Sequence, residues 1–300
     1  MEYINLPDLR SLATLRAIVE LGGMESAGRA LHVGQPAITK RLRALDNCYG
    51  IKLMHRQGRR LALTAAGEKV YAYARLVLDY QSLLLEDLAS LREGENRLRL
   101  EVTTAIGEHL LPHLLLQFNK TYPQYRIDSN MGYSRRIQSR MAGGLVDLAL
   151  MELAPDHPDI LVQKWLDDEL LLVCGPGHPL WQTVLLPVAE LSRLHYVLRE
   201  PKAAIRILVD KALQDIGIAH IPVAMELNST KTIMVMLEQG KHVSFLPRFA
   251  AAEALAQQRL YHIKIEGLRI KRTLWIARSH TQINNPVAEA FIRLLRGEQP

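Results

Sequence analysis

Between Ala65 and Glu93 apolar side chains return in steps of four and three: Val70, Ala74, Val77, then Gln81 in the same register, then Leu84, Leu88 and Leu91. That rhythm, held over three heptads, marks one long helix with a single apolar seam, broken once by a polar residue. Thr64 stands before it as an N-cap, and Gly94 follows as a stop signal. At 1.5 Å per residue the helix is roughly 43 Å long. A head of about 60 residues cannot cover it, so the seam must find another surface. The helix divides the chain into a head (1–64), a linker (65–94) and a body (95–300).

Charge follows that division. Ten of the 37 Lys and Arg residues and five of the 31 acidic ones fall in residues 1–66, a net of +5. The rest of the chain holds 27 basic and 26 acidic residues, a net of +1. A basic head on a nearly neutral body is the electrostatic footprint of a nucleic-acid-binding module.

The head has the matching geometry. Leu9, Leu12, Leu15 and Val19 recur at helical spacing until Gly22-Gly23. A short helix from Met24 to Leu31 buries Ala27, Ala30 and Leu31, and His32-Val33-Gly34 makes a three-residue turn. A third helix starts at Gln35-Pro36, where proline's missing N–H is harmless. It turns Ile38, Leu42 and Leu45 inward and Gln35, Pro36, Thr39, Lys40 and Arg43 outward. Gln pairs bidentately with adenine, Lys and Arg reach guanine or phosphate, and Thr or Pro touches a thymine methyl. Residues 51–63 alternate apolar and polar around Gly58 and read as a two-stranded wing. Arg56, Arg59 and Arg60 on that wing suit phosphate or minor-groove contact. The whole predicts a winged helix-turn-helix on double-stranded DNA.

The segments LRSLATLRAIVELGG, SAGRALHVGQPAITKRLRALD and YGIKLMHRQGRRLALTAAGE resemble the DNA-binding domain of LysR-type transcriptional regulators. Gly34, Thr39 and Ala65 stand where that family usually shows Ser, Ser and Pro; Thr39 keeps the hydroxyl, and Gly34 still serves as a helix N-cap. The resemblance implies promoter DNA as partner, with RNA polymerase as a further one, and no catalytic activity. It also implies a homo-oligomer, dimer or tetramer, in which Val70, Val77, Leu84, Leu88 and Leu91 pair the linker with its twin.

In the body, strands and helices alternate in two sets. Strands are expected at 98–103, 125–131, 146–151, 169–174, 196–198, 222–227, 243–246, 260–265 and 271–277, and helices at 107–122, 134–143, 203–216, 229–239 and 286–296. Alternation predicts parallel sheets covered by helices, and two sets predict two lobes. Crossings near Lys164–Asp168 and Pro247 would return the last elements to the first lobe, so that lobe I holds about 95–165 and 266–300 and lobe II about 166–265. The stretches LLPHLLLQFNKTYP, GGLVDLAL, LLLVCGPGHPL, VLREP and VSFLPR resemble the LysR effector domain, whose fold is similar to periplasmic solute-binding proteins. Open α/β lobes bind ligands at strand carboxyl ends, beside helix N-termini. That selects Thr103, Thr104, Ala105, Ser134, Lys202, Ile205 and Asn228. With no acidic residue evident among them, a small organic anion is the expected effector.

Other classes fit less well. No GxGxxG, GxSxG, HExxH or P-loop is present. His109 and His113, four apart, are the one pair an enzyme's metal could use, and no third ligand accompanies them; neither a metal nor a cofactor is expected. A redox-responsive or effector-independent regulator of the same fold is the nearer alternative, but Cys48 and Cys174 read as structural. MEYINLPDLR lacks the marks of a signal peptide, and no stretch reaches the roughly 20 apolar residues of a membrane span, so a cytoplasmic protein is expected.

Overall fold

The computed structural model describes residues 6–57, 60–93, 97–280 and 285–298, and side chains other than those at 57, 60, 83, 86, 87 and 89–93. It separates into two compact units, residues 1–94 and 95–300.

The first unit comprises α1 (Leu9–Glu20), α2 (Met24–Ala30), α3 (Gln35–Tyr49), a hairpin of β1 (Met54–Gln57) and β2 (Arg60–Leu63), and α4 (Ala65–Glu93). Asp8 caps α1 by accepting from the Ser11 N–H at 2.8 Å. Gly28 sits where α2 meets the turn: a Cβ there would lie 2.8 Å from the Val33 carbonyl oxygen. Gly34 is the N-cap of α3, with Pro36 in its first turn. Asp46 accepts from the Leu53 N–H at 3.0 Å and from Lys52 Nζ at 2.9 Å, which fixes the path from α3 into the hairpin. Thr64 caps α4, accepting from the Gly67 N–H at 2.9 Å while donating to the Lys52 carbonyl at 2.8 Å.

Leu12, Leu15, Ile18, Ala27, Ile38, Leu42, Leu45, Leu53 and Ala74 form the core of this unit. Two expectations change. Leu9 and Ala30 are exposed, because α1 turns Ile18 inward and α2 approaches α3 through Gly28. Val70 and Val77 are half-buried against the head core beside Ala66, Tyr71 and Leu78, so the first half of the linker seam already has its partner. The apolar residues that α4 leaves exposed are Tyr73, Leu76, Tyr80, Leu84, Leu85 and Leu88. Gly94 and the side chain of Leu91 lie outside the described residues.

The second unit is built on one nine-stranded sheet. Its strands are β3 (Arg97–Thr103), β4 (Arg126–Gly132), β5 (Leu148–Met151), β6 (Ile160–Cys174), β7 (Tyr196–Arg199), β8 (Val223–Leu227), β9 (Val243–Pro247), β10 (Tyr261–His262) and β11 (Ile270–Ser279). The order is β4-β3-β5-β11-β6-β9-β7-β8, with β10 beside β6. Helices α5 (Thr104–His109), α6 (Leu111–Thr121), α7 (Ser134–Ala142) and α11 (Pro286–Leu295) belong to the first lobe. Helices α8 (Ala204–Asp215), α9 (Thr230–Gln239) and α10 (Arg248–Ala256) cover the second.

β3 pairs in parallel with β4 and β5, and β7 with β8 and β9, while β11 lies antiparallel beside β5 and β6 antiparallel beside β9. The lobes are joined by β6 and β11, which run antiparallel from Ile160–Ser279 to Leu170–Ile270. Lys164–Asp168, where the first crossing was expected, is the middle of one fifteen-residue strand. The second crossing is not at Pro247: Ala251 and Ala254 of α10 pack with Leu171 and Ile233 in the second lobe, and β11 makes the return. Arg272 on β11 clamps the join, donating to Glu152 at 2.6 Å and Asp168 at 2.8 Å under the Phe249 ring. The helix expected over 107–122 starts at Thr104 and breaks at Leu110, ahead of Pro112. His109 and His113 thus lie on different helices, which removes the one-face geometry their spacing suggested.

Candidate DNA interface and inter-lobe cleft

On α3, Ile38, Leu42 and Leu45 are buried, while Gln35, Pro36, Lys40 and Arg43 are exposed and Thr39 is half-buried. Pro36, Thr39, Lys40 and Arg43 line a shallow concavity together with Ala44 and Asn47, two residues the sequence reading did not select. The Thr39 hydroxyl donates to the Gln35 carbonyl at 3.1 Å, which leaves its oxygen free to accept and its methyl to make apolar contact. No acidic residue lies in the first turn of α3, so the positive end of its dipole is uncompensated. The hairpin pairs Gln57 with Arg60, and Arg56 is exposed on β1. Arg59 and the side chain of Arg60 lie outside the described residues.

In the second unit, register places the cleft loops. Thr103 pairs with Gly132, so Thr103–Thr104 and Tyr133–Ser134 leave the sheet side by side at its carboxyl edge. Arg199 pairs with Leu227, so Glu200–Lys202 and Asn228–Thr230 do the same in the second lobe. Of the residues selected from sequence, Thr103 is buried, Thr104 and Ser134 are half-buried, and Lys202 and Asn228 are exposed. Ala105 and Ile205 are different: both are buried in the second lobe's core beside Leu170, Leu172 and Val209, where apolar side chains that size are best covered. They position the loops and offer a ligand no surface.

Among the described residues, the buried Thr103 Oγ1 and Ser134 Oγ have no hydrogen-bond partner. His109 Nε2, on the same side of the cleft, is likewise buried without one, whereas Arg199, Glu200 and Glu108 are engaged. Arg199 is 3% exposed and grips its neighbour Glu200 through Nε and Nη2, both at 2.9 Å, with Nη1 on Thr230 Oγ1 at 3.3 Å. Burial works to raise the Glu200 carboxyl, but the Arg199 guanidinium, a backbone N–H and the Tyr133 hydroxyl together hold the group below the usual carboxylate range. The Tyr133 phenol, close to Glu200, is pushed upward by that carboxylate. Glu108 on α5 reaches across to the second lobe, accepting from the Thr230 N–H at 2.9 Å and the Lys231 N–H at 3.2 Å. The cleft thus has two carboxylates where none was expected, Glu108 and Glu200. Glu200 stands in the VLREP stretch, whereas Glu108 lies outside the quoted stretches and only the fold brings it in.

Burial lowers the His109 imidazole below its ordinary value, and its Nε2 lies 3.8 Å from Glu108. No group of three His, Cys, Asp or Glu is arranged to hold a metal ion among the described residues. Burial pushes the Cys174 thiol up to about 11, so it is a neutral, unreactive thiol at ordinary pH. No helix among the described residues is long and apolar enough to cross a membrane.

A helix-turn-helix with a polar outward face, followed by a long helix and a two-lobed α/β domain, is the build of a ligand-responsive transcriptional regulator. Residues 9–68 match the family described as "Bacterial regulatory helix-turn-helix protein, lysR family", and residues 92–300 match "LysR substrate binding domain". The chain belongs to the LysR family of transcriptional regulators. Among its relatives is a "Probable RuBisCO transcriptional regulator" of Cyanophora paradoxa, 31% identical over 97% of this chain and 92% of that one. The fold is similar to full-length CbnR complexed with its target DNA (TM-score 0.70, 21% identity, 97% of this chain and 99% of that one). It is also similar to the Synechocystis PCC6803 CcmR regulatory domain in complex with 2-PG (TM-score 0.61, 24% identity, 67% of this chain and 96% of that one).

Proposed function

We propose that this LysR-type regulator reads promoter DNA through Gln35, Pro36, Thr39, Lys40 and Arg43, with the wing arginines on the phosphates, and that a small organic anion in the inter-lobe cleft controls it. The sensing half rests on one observation: Thr103 Oγ1 and Ser134 Oγ, at the ends of two paired strands, are buried without a partner among the described residues. Leaving a buried hydroxyl unsatisfied costs about 1–3 kcal/mol, and two at adjacent strand ends fit a ligand that supplies the missing acceptors. The anionic character has separate support. Ser134 opens α7, whose first turn carries Arg135 and Arg136 and no acid. Cations at a helix N-terminus are unfavourable by about 0.3–1 kcal/mol each, and an anion reverses that sign.

The protein acts by binding, without catalysis, in the cytoplasm. The exposed stripe of α4 pairs two copies, presenting two α3 helices to a two-fold site that RNA polymerase meets. The relatives' name and the CcmR–2-PG complex recommend 2-PG as the first probe.

Calorimetry on the full chain tests the cleft, with 2-PG and inorganic phosphate as probes. Thr103→Val and Ser134→Ala each weaken anion binding about ten-fold or more, the loss of a hydrogen bond to a charged group. Both variants melt no lower than wild type, because each removes an unsatisfied group. Unchanged affinity in both places the anion elsewhere, and lowered melting in both makes the hydroxyls structural.

A further inference from the structure

We infer that Glu108 is an internal anion that fastens the two lobes and that the effector must displace, an inference that rests on reading the cleft as the sensing site. The N–H groups of the first turn of α9 are all taken. Thr230 and Lys231 donate to Glu108, and Thr232 donates to the Ser229 hydroxyl at 3.2 Å. Glu108 belongs to α5 in the first lobe, so the contact spans the cleft and joins residues 122 positions apart. Its side chain is 13% exposed, and His109 Nε2 lies 3.8 Å away.

The two sides of the cleft are therefore unequal. On the second lobe the helix N-terminus, the usual seat for an anion, already holds a carboxylate. On the first lobe Thr103 Oγ1 and Ser134 Oγ are empty-handed. At the cleft loops a ligand anion finds unpartnered buried hydroxyls on the first lobe only, and its charge shares the cleft with the Glu108 carboxylate. Like charges in one partly buried site repel, and the ligand's affinity falls by about ten-fold or more as long as Glu108 stays charged and in place. The repulsion drives Glu108 off Thr230 and Lys231, which then close on the ligand. Occupancy is thus coupled to the inter-lobe contact, the bistable element a switch of this kind requires.

Hydrogen exchange and calorimetry on the full chain test this. Without ligand, Glu108→Ala speeds exchange at the Thr230 and Lys231 amides about ten-fold or more and leaves Ile233 to Leu237 unchanged. With inorganic phosphate as probe, Glu108→Gln, which keeps the side chain's shape and loses its charge, raises affinity about ten-fold or more. Wild-type exchange at Thr230 and Lys231 in Glu108→Ala overturns the inference. So does equal or weaker phosphate binding in Glu108→Gln. Ser134→Ala, measured alongside, separates the two readings: loss of phosphate binding there upholds the cleft as the site whichever way Glu108 behaves.

Discussion

A Cβ at Gly67 would lie 1.9 Å from the Leu53 carbonyl oxygen and 2.9 Å from its carbon, backbone against backbone. No side chain can rotate out of that clash, because Leu53 is itself held by Asp46 and by the Thr64 N–H at 2.9 Å. Gly67→Ala therefore lowers the stability of the head by about 1–3 kcal/mol, read in calorimetry as an earlier melting transition; an unshifted transition would show that the α4 start moves freely. Gly67 follows the Thr64 cap by three residues, and nothing local in the sequence marks it as a contact glycine. The cleft shows the same division. Thr103 and Ser134 are legible because strand ends and helix starts follow from local pattern. Glu108 is not, because its partners are 122 positions away and only the lobe arrangement brings them together.

At the scale of elements, periodicity carries most of what is legible and also the main errors. The four-three rhythm of α4 is real, but a helix of 29 residues has more than one face. Val70, Ala74 and Val77 meet the head, and Tyr73, Leu76, Tyr80, Leu84 and Leu88 are left to a second surface. Leu76→Asp with Tyr80→Asp, or Leu84→Asp with Leu88→Asp, would place charges in an apolar interface, which proteins seldom tolerate. Light scattering of the full chain is expected to show each pair converting an oligomer to a monomer, whereas Val70→Asp unfolds the head instead. A wild type that is monomeric at tens of micromolar sinks the assignment of this stripe. In β6, the first half exposes Gln163, Lys164 and Asp167, so a strand that spans both lobes reads as a polar connection. The alanine-rich run in α10, FAAAEALA, has too little contrast for a helical period to stand out.

Across the whole molecule, the basic head and the neutral body divide the labour that the family membership describes, DNA recognition in one unit and ligand response in the other. The division of α3 into an inward and an outward face is legible, apart from Ala44 and Asn47, because it follows one helical period and needs no long-range partner. The central claim is that these outward residues read bases rather than merely add charge. Fluorescence anisotropy at one fixed salt concentration, comparing the operator duplex with a scrambled one, tests it most directly. Gln35→Ala with Thr39→Ala is expected to reduce the preference for the operator by about 1–3 kcal/mol per lost base contact, leaving affinity for the scrambled duplex intact. A double variant that keeps its full preference, or loses affinity for both duplexes equally, contradicts the account.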